Sequence, residues 1–371
     1  MLALRSRSKS VLFFNPDYHC SFFLKDELTK RGWMVDISVG NTYPAHLLFR
    51  EDVKKTRSKV AALDYAIRWL SAIRYRFVVH YGRLSAAGLG YSRVIDRGLL
   101  LWCRLLKLLG THVIYIPSGC RDHVPKGIWK QIDDGNVCGN CGFEPKCSDD
   151  DNYRNFSQVR KIAAAAIVGD GHPTSEFAER RIRYKSLDLE LFHPNISIPK
   201  EHRWESPAKI RVLHSHSLEN RNLNGKNIKG TPHVVHAINC LKSEGHDVDL
   251  INLSGVHTST MRFHQVQADI VVDQLIYGGA GSTTLECLAL GKPVVCYIRP
   301  SWAKFLGDLF PEWQECPIIS ATPDTLEGEL RKLVTDAQYR SQVAIASRQF
   351  AERYLDVRKN VLEVEQLLFS L

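Results

Sequence analysis

The chain has 371 residues, 44% of them hydrophobic and 24% charged, with a net charge of +9 and a pI near 9.0. That length exceeds one ordinary hydrophobic core and suits two domains, and the composition excludes a disordered or fibrous chain. No apolar run reaches the eighteen or so residues of a membrane-spanning helix, and the basic start MLALRSRSKS lacks the apolar stretch of a signal peptide, so a cytoplasmic protein is expected. The positive charge is compatible with three kinds of partner: nucleic acid, an anionic membrane surface, or phosphorylated small molecules. Ten cysteines in such a chain point to thiols or a metal rather than to disulfides.

In chain order, SVLFF (10–14) reads as a buried strand and SFFLKDELTKRG as a helix with Ser21 as N-cap and Gly32 beyond its end. WMVDISVG and YRFVVHYG (75–82) read as strands, RGLLLWCRLLKLLG as a helix closed by Gly110, and THVIYIP as the next strand. A loop-rich, Cys-rich insert is expected at 118–157, then a strand in KIAAAAIVGD and a helix in TSEFAERRI. NISIPKEHRWESPAK carries two prolines and no periodicity, so it reads as a linker at about 196–208 between domains 1–195 and 209–371. After it come strand IRVLHSHS, helix PHVVHAINCLKSEG, strand DVDLINLSG, a helix near 258–267, and strands DIVVDQL and PVVCYI. The tail from 323 reads as helical, with Thr322 as cap and Pro323 in the first turn, and its last helices are expected to pack back on the first domain. Strand–helix alternation of this kind predicts an α/β class: two doubly wound, Rossmann-like domains facing across a cleft.

The most informative stretch is GGAGSTTLECLALGKPVV (278–295). Thr283 and Glu286 have the spacing of a capping box, Gly291 suits the residue after a helix, and Pro293 prevents continuation. A capped helix does not explain Gly278, Gly279 and Gly281 just before it. A backbone that an anion must approach closely would explain them, with Ser282 and Thr283 at the helix N-terminus.

ADIVVDQLIYGGAGSTTLECLALGKPVVCYI resembles the donor-sugar signature of the GT-B glycosyltransferases, in particular the large retaining, metal-independent group of bacterial glycan and polysaccharide enzymes. The resemblance implies that Glu286 binds the ribose hydroxyls of a nucleotide sugar. It implies too that Gly279, Gly281, Ser282 and Thr283 lie against the diphosphate. The family pattern has a second Glu eight residues before the first, where this chain has Gly278; Asp273-Gln274-Leu275 is similar to a variant lacking that Glu. VLHSHSLENRNLNGKNIKGTPHVVHAI resembles the first strand, loop and helix of the donor domain, where a basic pair contacts the diphosphate. Lys229 and Gly230 match its Lys-Gly step, and the other cation is Arg221 or Lys226. Lys229 is thus expected as a loop cation that stabilises the leaving diphosphate without a catalytic metal. Thr231-Pro232 reads as a cap followed by proline at the first helical position. YKSLDLELFHPN (184–195) resembles the segment that ends the first domain.

The first domain would bind the acceptor. By resemblance His80, ending RFVVH, is a candidate near the reacting centre, as are Arg121 and Asp122 in SGCRDH; a structural role for each also fits. His19, after the first strand, is a weaker candidate. Cys138, Cys141 and Cys147, with Cys120 upstream, have the spacing of a structural zinc site, and free thiols in a loop fit equally. The function expected is transfer of a sugar from a nucleotide diphosphate donor to a sugar, lipid-linked or other hydroxyl acceptor, with retention, by a protein peripheral to the inner membrane leaflet. A sugar-nucleotide epimerase of the same fold, or a non-catalytic nucleotide-sugar or nucleic-acid-binding module, are the alternatives.

Overall fold

The computed structural model describes residues 8–16, 18–41, 43–82, 93–117, 126–133, 136–142, 144–168, 180–216, 222–223 and 225–371. Two compact units emerge: Met1–Ile128 with Cys147–Ser186 and Val357–Leu371, and Trp129–Lys146 with Leu187–Asp356.

The first unit is built on six parallel strands: β1 (Ser10–Phe14), β2 (Met34–Ser38), β3 (Phe77–Tyr81), β4 (His112–Ile116), β5 (Ala165–Val168) and β6 (Arg180–Arg181), in the order β2-β1-β3-β4-β5-β6. β1 is buried at every position, which is why it reads as a continuous apolar run rather than an alternation. Helix α1 (Cys20–Lys30) follows β1 and ends as expected: Gly32 donates to the Thr29 carbonyl and Trp33 to that of Leu28. Its start differs. His19 takes the cap position, and Ser21 lies buried within the helix, its hydroxyl 3.1 Å from that of Tyr184. Helices α2 (Ala61–Ser71) and α3 (Arg93–Leu108) cover one face of the sheet, packing Trp69, Leu99, Cys103 and Leu106 on Leu12, Phe14, Val78 and Tyr115. The C-terminal helix Val357–Phe369 belongs to this unit, where Glu365 accepts from Arg31 at 2.7 Å and from the Trp33 indole at 2.8 Å.

The Cys-rich insert is more helical than its composition suggests. It contains Lys126–Asp133, Asn136–Gly139 and the 14-residue α4 (Asp149–Ile162), capped by the Ser148 hydroxyl on the Asp151 N–H. Three aspartates in the first turn and Arg160-Lys161 in the last suit the helix dipole. Arg180 and Arg181, expected in a helix, pair with β5 instead; residues 174–179 of that segment lie outside the described residues.

The second unit carries four parallel strands: β7 (Ile210–His216), β10 (Val248–Ser254), β11 (Ile270–Val272) and β12 (Val294–Val295), in the order β10-β7-β11-β12. A hairpin of β8 (Asn222–Leu223) and β9 (Lys226–Asn227) follows β7. The helices after these strands are α5 (Thr231–Ser243), α6 (Met261–Gln265), α7 (Ser282–Ala289) and α8 (Pro300–Leu309). The division between units falls at 186/187, not at 195, and the expected linker is packed on the second unit. There the Trp204 N–H donates to Gln267 and the Ser206 hydroxyl to Asp249. Near the end of this unit, the helix Leu326–Thr335 begins after Thr325 rather than at Pro323, because Thr322 and Pro323 form a preceding turn.

Candidate functional site

The second sheet reverses its winding between β7 and β11, and ligands of such sheets bind beyond the strand carboxyl ends at that point. Asp273 is the first residue after β11 and is completely buried. It receives the Lys229 ammonium on one oxygen and the Thr284 hydroxyl, at 2.6 Å, on the other. Burial pushes its carboxyl upward, but the adjacent Lys229 charge and these hydrogen bonds outweigh burial and hold it below the ordinary carboxylate value. The Lys229 turn is fixed from below. Asn227 Oδ1 accepts from the backbone N–H groups of Lys229, Gly230 and Thr231 at 3.1, 3.0 and 3.3 Å, and Leu275 N–H donates to the Lys229 carbonyl at 3.1 Å. Gly230 has φ +81° and caps α5, so Thr231 is inside the helix and not its cap. The Thr231 hydroxyl instead faces His214 Nε2 at 2.8 Å, while His214 Nδ1 meets the Val272 carbonyl at 2.8 Å. A carbonyl only accepts, so Nδ1 carries the proton and Nε2 accepts. Burial lowers this imidazole to about 4 and keeps it neutral.

Lys229, expected as a loop cation outside the core, is instead largely buried. Its side chain is 10% exposed and ion-paired with a fully buried carboxylate. Lys226 keeps a looser position, half-buried and 3.8 Å from Glu144.

The glycines before α7 divide by physical cause. Gly278 has φ +82°, and a Cβ there would come within 2.9 Å of Arg299. A Cβ on Gly279 would overlap the buried Trp302 ring. Gly281 is different: its φ is −99°, and a Cβ would meet Asp273 and Gln274 at ordinary contact distances of 3.5 and 3.6 Å. Packing within the chain accounts for the first two glycines, whereas the third, the cap residue of α7, leaves room for a Cβ. Gly281, Ser282 and Thr283 are part-exposed, whereas Thr284–Leu290 are buried. The N-terminus of α7 therefore opens to solvent with its first N–H groups outside the intrahelical ladder.

Neither Thr283 nor Glu286 forms the expected capping box. Gly281 is the cap residue, no side chain caps the helix, and Glu286 lies in the second turn, where the Gln265 amide donates to its carboxylate. Glu286 is 7% exposed, and burial above all raises its pKa to about 7. Gly291 ends the helix as expected, donating to the Leu288 carbonyl. The contrast between Gly279 and Gly281 is testable: Gly279→Ala should cost about 3 kcal/mol through overpacking against Trp302. Gly281→Ala should melt within a degree or two of the parent yet bind nucleoside diphosphate more weakly.

No protein-family model matches the chain, and no curated protein matches it significantly. Solved structures do match. Anabaena HepE, determined with UDP-glucose, aligns at TM-score 0.60 and 12% identity over 98% of this chain and 100% of its own. Sucrose-phosphate synthase from Thermosynechococcus elongatus aligns at 0.58 and 12%, over 98% of each chain. WaaG, a glycosyltransferase involved in lipopolysaccharide biosynthesis, aligns at 0.55 and 15%, over 96% of this chain and 99% of its own. The chain has the GT-B fold.

In the GT-B chain, the residues expected to serve the donor do not all come together. Lys229, Gly230, Asp273, Gly281, Ser282, Thr283 and Glu286 gather around the carboxyl end of β11 and the start of α7. Gly279 sits behind them against Trp302, and Arg221 lies outside the described residues. Sequence reasoning missed His214, Asn227, Gln265 and Arg299. His214 had a signal, a polar side chain at an inward position of a buried strand. Arg299, whose guanidinium lies 5.3 Å from the centre of the Trp129 ring, had none.

In the first unit His80 is fully buried on β3, stacked on Phe14 and Trp69 at 5.2 and 5.7 Å, with Nδ1 3.1 Å from the Gly82 carbonyl. Burial, reinforced by Arg68, lowers it to about 3, so it is neutral. His19 is equally buried, beside Phe23 and Phe49, and also lowered to about 3. Arg121, Asp122 and Cys120 lie outside the described residues. Cys141 donates its N–H to the Cys138 carbonyl at 3.2 Å and Cys147 precedes α4, but among the described residues these three thiols do not come together as a metal-binding group.

Proposed function

We propose that this chain is a glycosyltransferase that moves a sugar from a nucleotide diphosphate donor to a hydroxyl acceptor, with retention of anomeric configuration. The observation that carries the reading is the pairing, beyond β11, of an open helix N-terminus with the buried carboxylate of Glu286 one turn further along. The first suits a diphosphate, the second a pair of ribose hydroxyls. Asp273 acts as a positioning residue. It holds the Lys229 ammonium beside the loop, so that charge developing on a leaving diphosphate meets a fixed cation and the α7 dipole, with no catalytic metal. The GT-B fold and the UDP-glucose bound by HepE support this reading. Arg121 and Asp122 serve the acceptor side in this proposal, whereas His80, fully buried between Phe14 and Trp69, packs the core of the first unit.

A nucleotide sugar that binds the protein should be stable on its own with the enzyme. It should release nucleoside diphosphate only when a hydroxyl acceptor fraction is added, with the new glycosidic proton showing the donor's anomeric configuration by NMR. Conversion of the nucleotide sugar to an epimer without any acceptor would replace the transferase reading with the epimerase one.

A further inference from the structure

Helix α2 exposes Leu63, Ile67 and Leu70 at 51%, 39% and 54%, and α3 exposes Leu101, Leu105 and Leu108 at 69%, 42% and 84%. Both sets have the i, i+4, i+7 spacing that places side chains on a single helix face. The stripes continue into Ile73 and Leu109, exposed as well. The two helices are neighbours in one layer: the Trp102 indole donates to the Trp69 carbonyl at 2.9 Å, and their inner faces share a core over β1, β3 and β4. Eight large apolar side chains thus crowd the outer surface of that layer, which is unlike the single scattered residues of an ordinary surface.

Among the described side chains at 54–74 and 98–109, the exposed charges have one sign. Between Lys55 and Arg74 the exposed charged residues are Lys55, Arg57, Lys59 and Arg74, while Asp64 is buried and takes the Thr56 hydroxyl. From Gly98 to Leu109 they are Arg104 and Lys107. An apolar band edged by cations suits an anionic bilayer: leucines enter the boundary between headgroups and acyl chains, and the ammonium and guanidinium groups meet lipid phosphates. A second copy of the same face would set like charges against each other. Among the described residues no helix is long and apolar enough to cross a membrane, so the contact would be peripheral.

We infer that the outer face of α2 and α3 docks this protein on an anionic lipid surface. The docking stands on this face alone. Its consequence rests on the proposed function: a glycosyltransferase held there by its first unit acts on an acceptor carried in or on that membrane.

The test is co-sedimentation of the full chain with phosphatidylcholine vesicles and with vesicles also containing phosphatidylglycerol, at low and high salt. The parent should bind the anionic vesicles, weakly the neutral ones, and less in high salt. Leu101→Gln/Leu105→Gln/Leu108→Gln, changed only at exposed positions, should lower binding about a hundredfold with an unchanged melting temperature. Absence of binding to anionic vesicles, or equal binding by the triple variant, overturns the inference. So does a parent dimer that ignores vesicles and becomes monomeric in the triple variant, which would give the face to a second copy. Nucleoside diphosphate stabilisation, measured on the same samples, reports on the donor site separately, so failure of one reading is distinguishable from failure of the other.

Discussion

Glu286→Ala should weaken nucleoside diphosphate binding about a hundredfold while the chain stays folded. Two charge-assisted hydrogen bonds to ribose hydroxyls account for an effect of that size. A mere capping interaction would account for about 1 kcal/mol, and no side chain caps this helix. The carboxyl also gives the effect a pH signature. Burial raises it to about 7 in the folded chain from an ordinary 4.5. By itself that shift gives stability which is fully present below 4.5 and lost as pH rises through about 7. A ligand whose hydroxyls donate to the carboxylate favours the ionised form, so affinity should rise across the same upper range and level off above it. Calorimetric titration with a nucleotide sugar, which has no phosphate titrating near neutrality, at about pH 6 and about pH 8 should show tighter binding at the higher value. Glu286→Gln should bind weakly at both. Equal affinity of parent and Glu286→Ala would make this carboxylate a packing group.

Lys229→Ala should cost the second unit about 3–5 kcal/mol, because it strands a fully buried Asp273 without its counter-charge. The melting temperature should fall by about 10 °C. Lys229→Met/Asp273→Asn, which removes both charges and keeps most of the volume, should recover much of the loss but not nucleotide binding. Thermal melting of the two variants beside the parent decides the matter. A Lys229→Ala protein that melts with the parent would mean that the ammonium is a solvated loop charge after all.

What the sequence made legible was local. Apolar runs marked β1, β3, β7 and β11, and Gly32 and Gly291 marked helix ends, because one residue's backbone preference is enough to show each. The donor segment was legible for the same reason: strand, glycine loop and helix follow one another without interruption. Contacts between distant residues were not. Lys229 and Asp273 are 44 positions apart, and nothing near either shows that one neutralises the other. Trp302 makes Gly279 obligatory from 23 positions downstream, so a glycine shaped by an indole looked like one shaped by a ligand. The Thr283–Glu286 spacing fitted a capping box, but Gln265 from a different helix engages the carboxylate. Helix α4 escaped notice because its buried apolar residues are few, among them Val159 and Ile162, although Ser148, the aspartates after it and Arg160-Lys161 carried its end signals.

The most direct test of a nucleotide diphosphate site beside α7 is a thermal-shift series on the purified protein with UDP, GDP, CDP, ADP and dTDP, without added metal. A ligand present at about a hundred times its dissociation constant should stabilise by about 2.7 kcal/mol. A clear upward shift is expected with one of the five, abolished in Glu286→Ala and reduced in Gly281→Ala. Melting curves that ignore all five would contradict it.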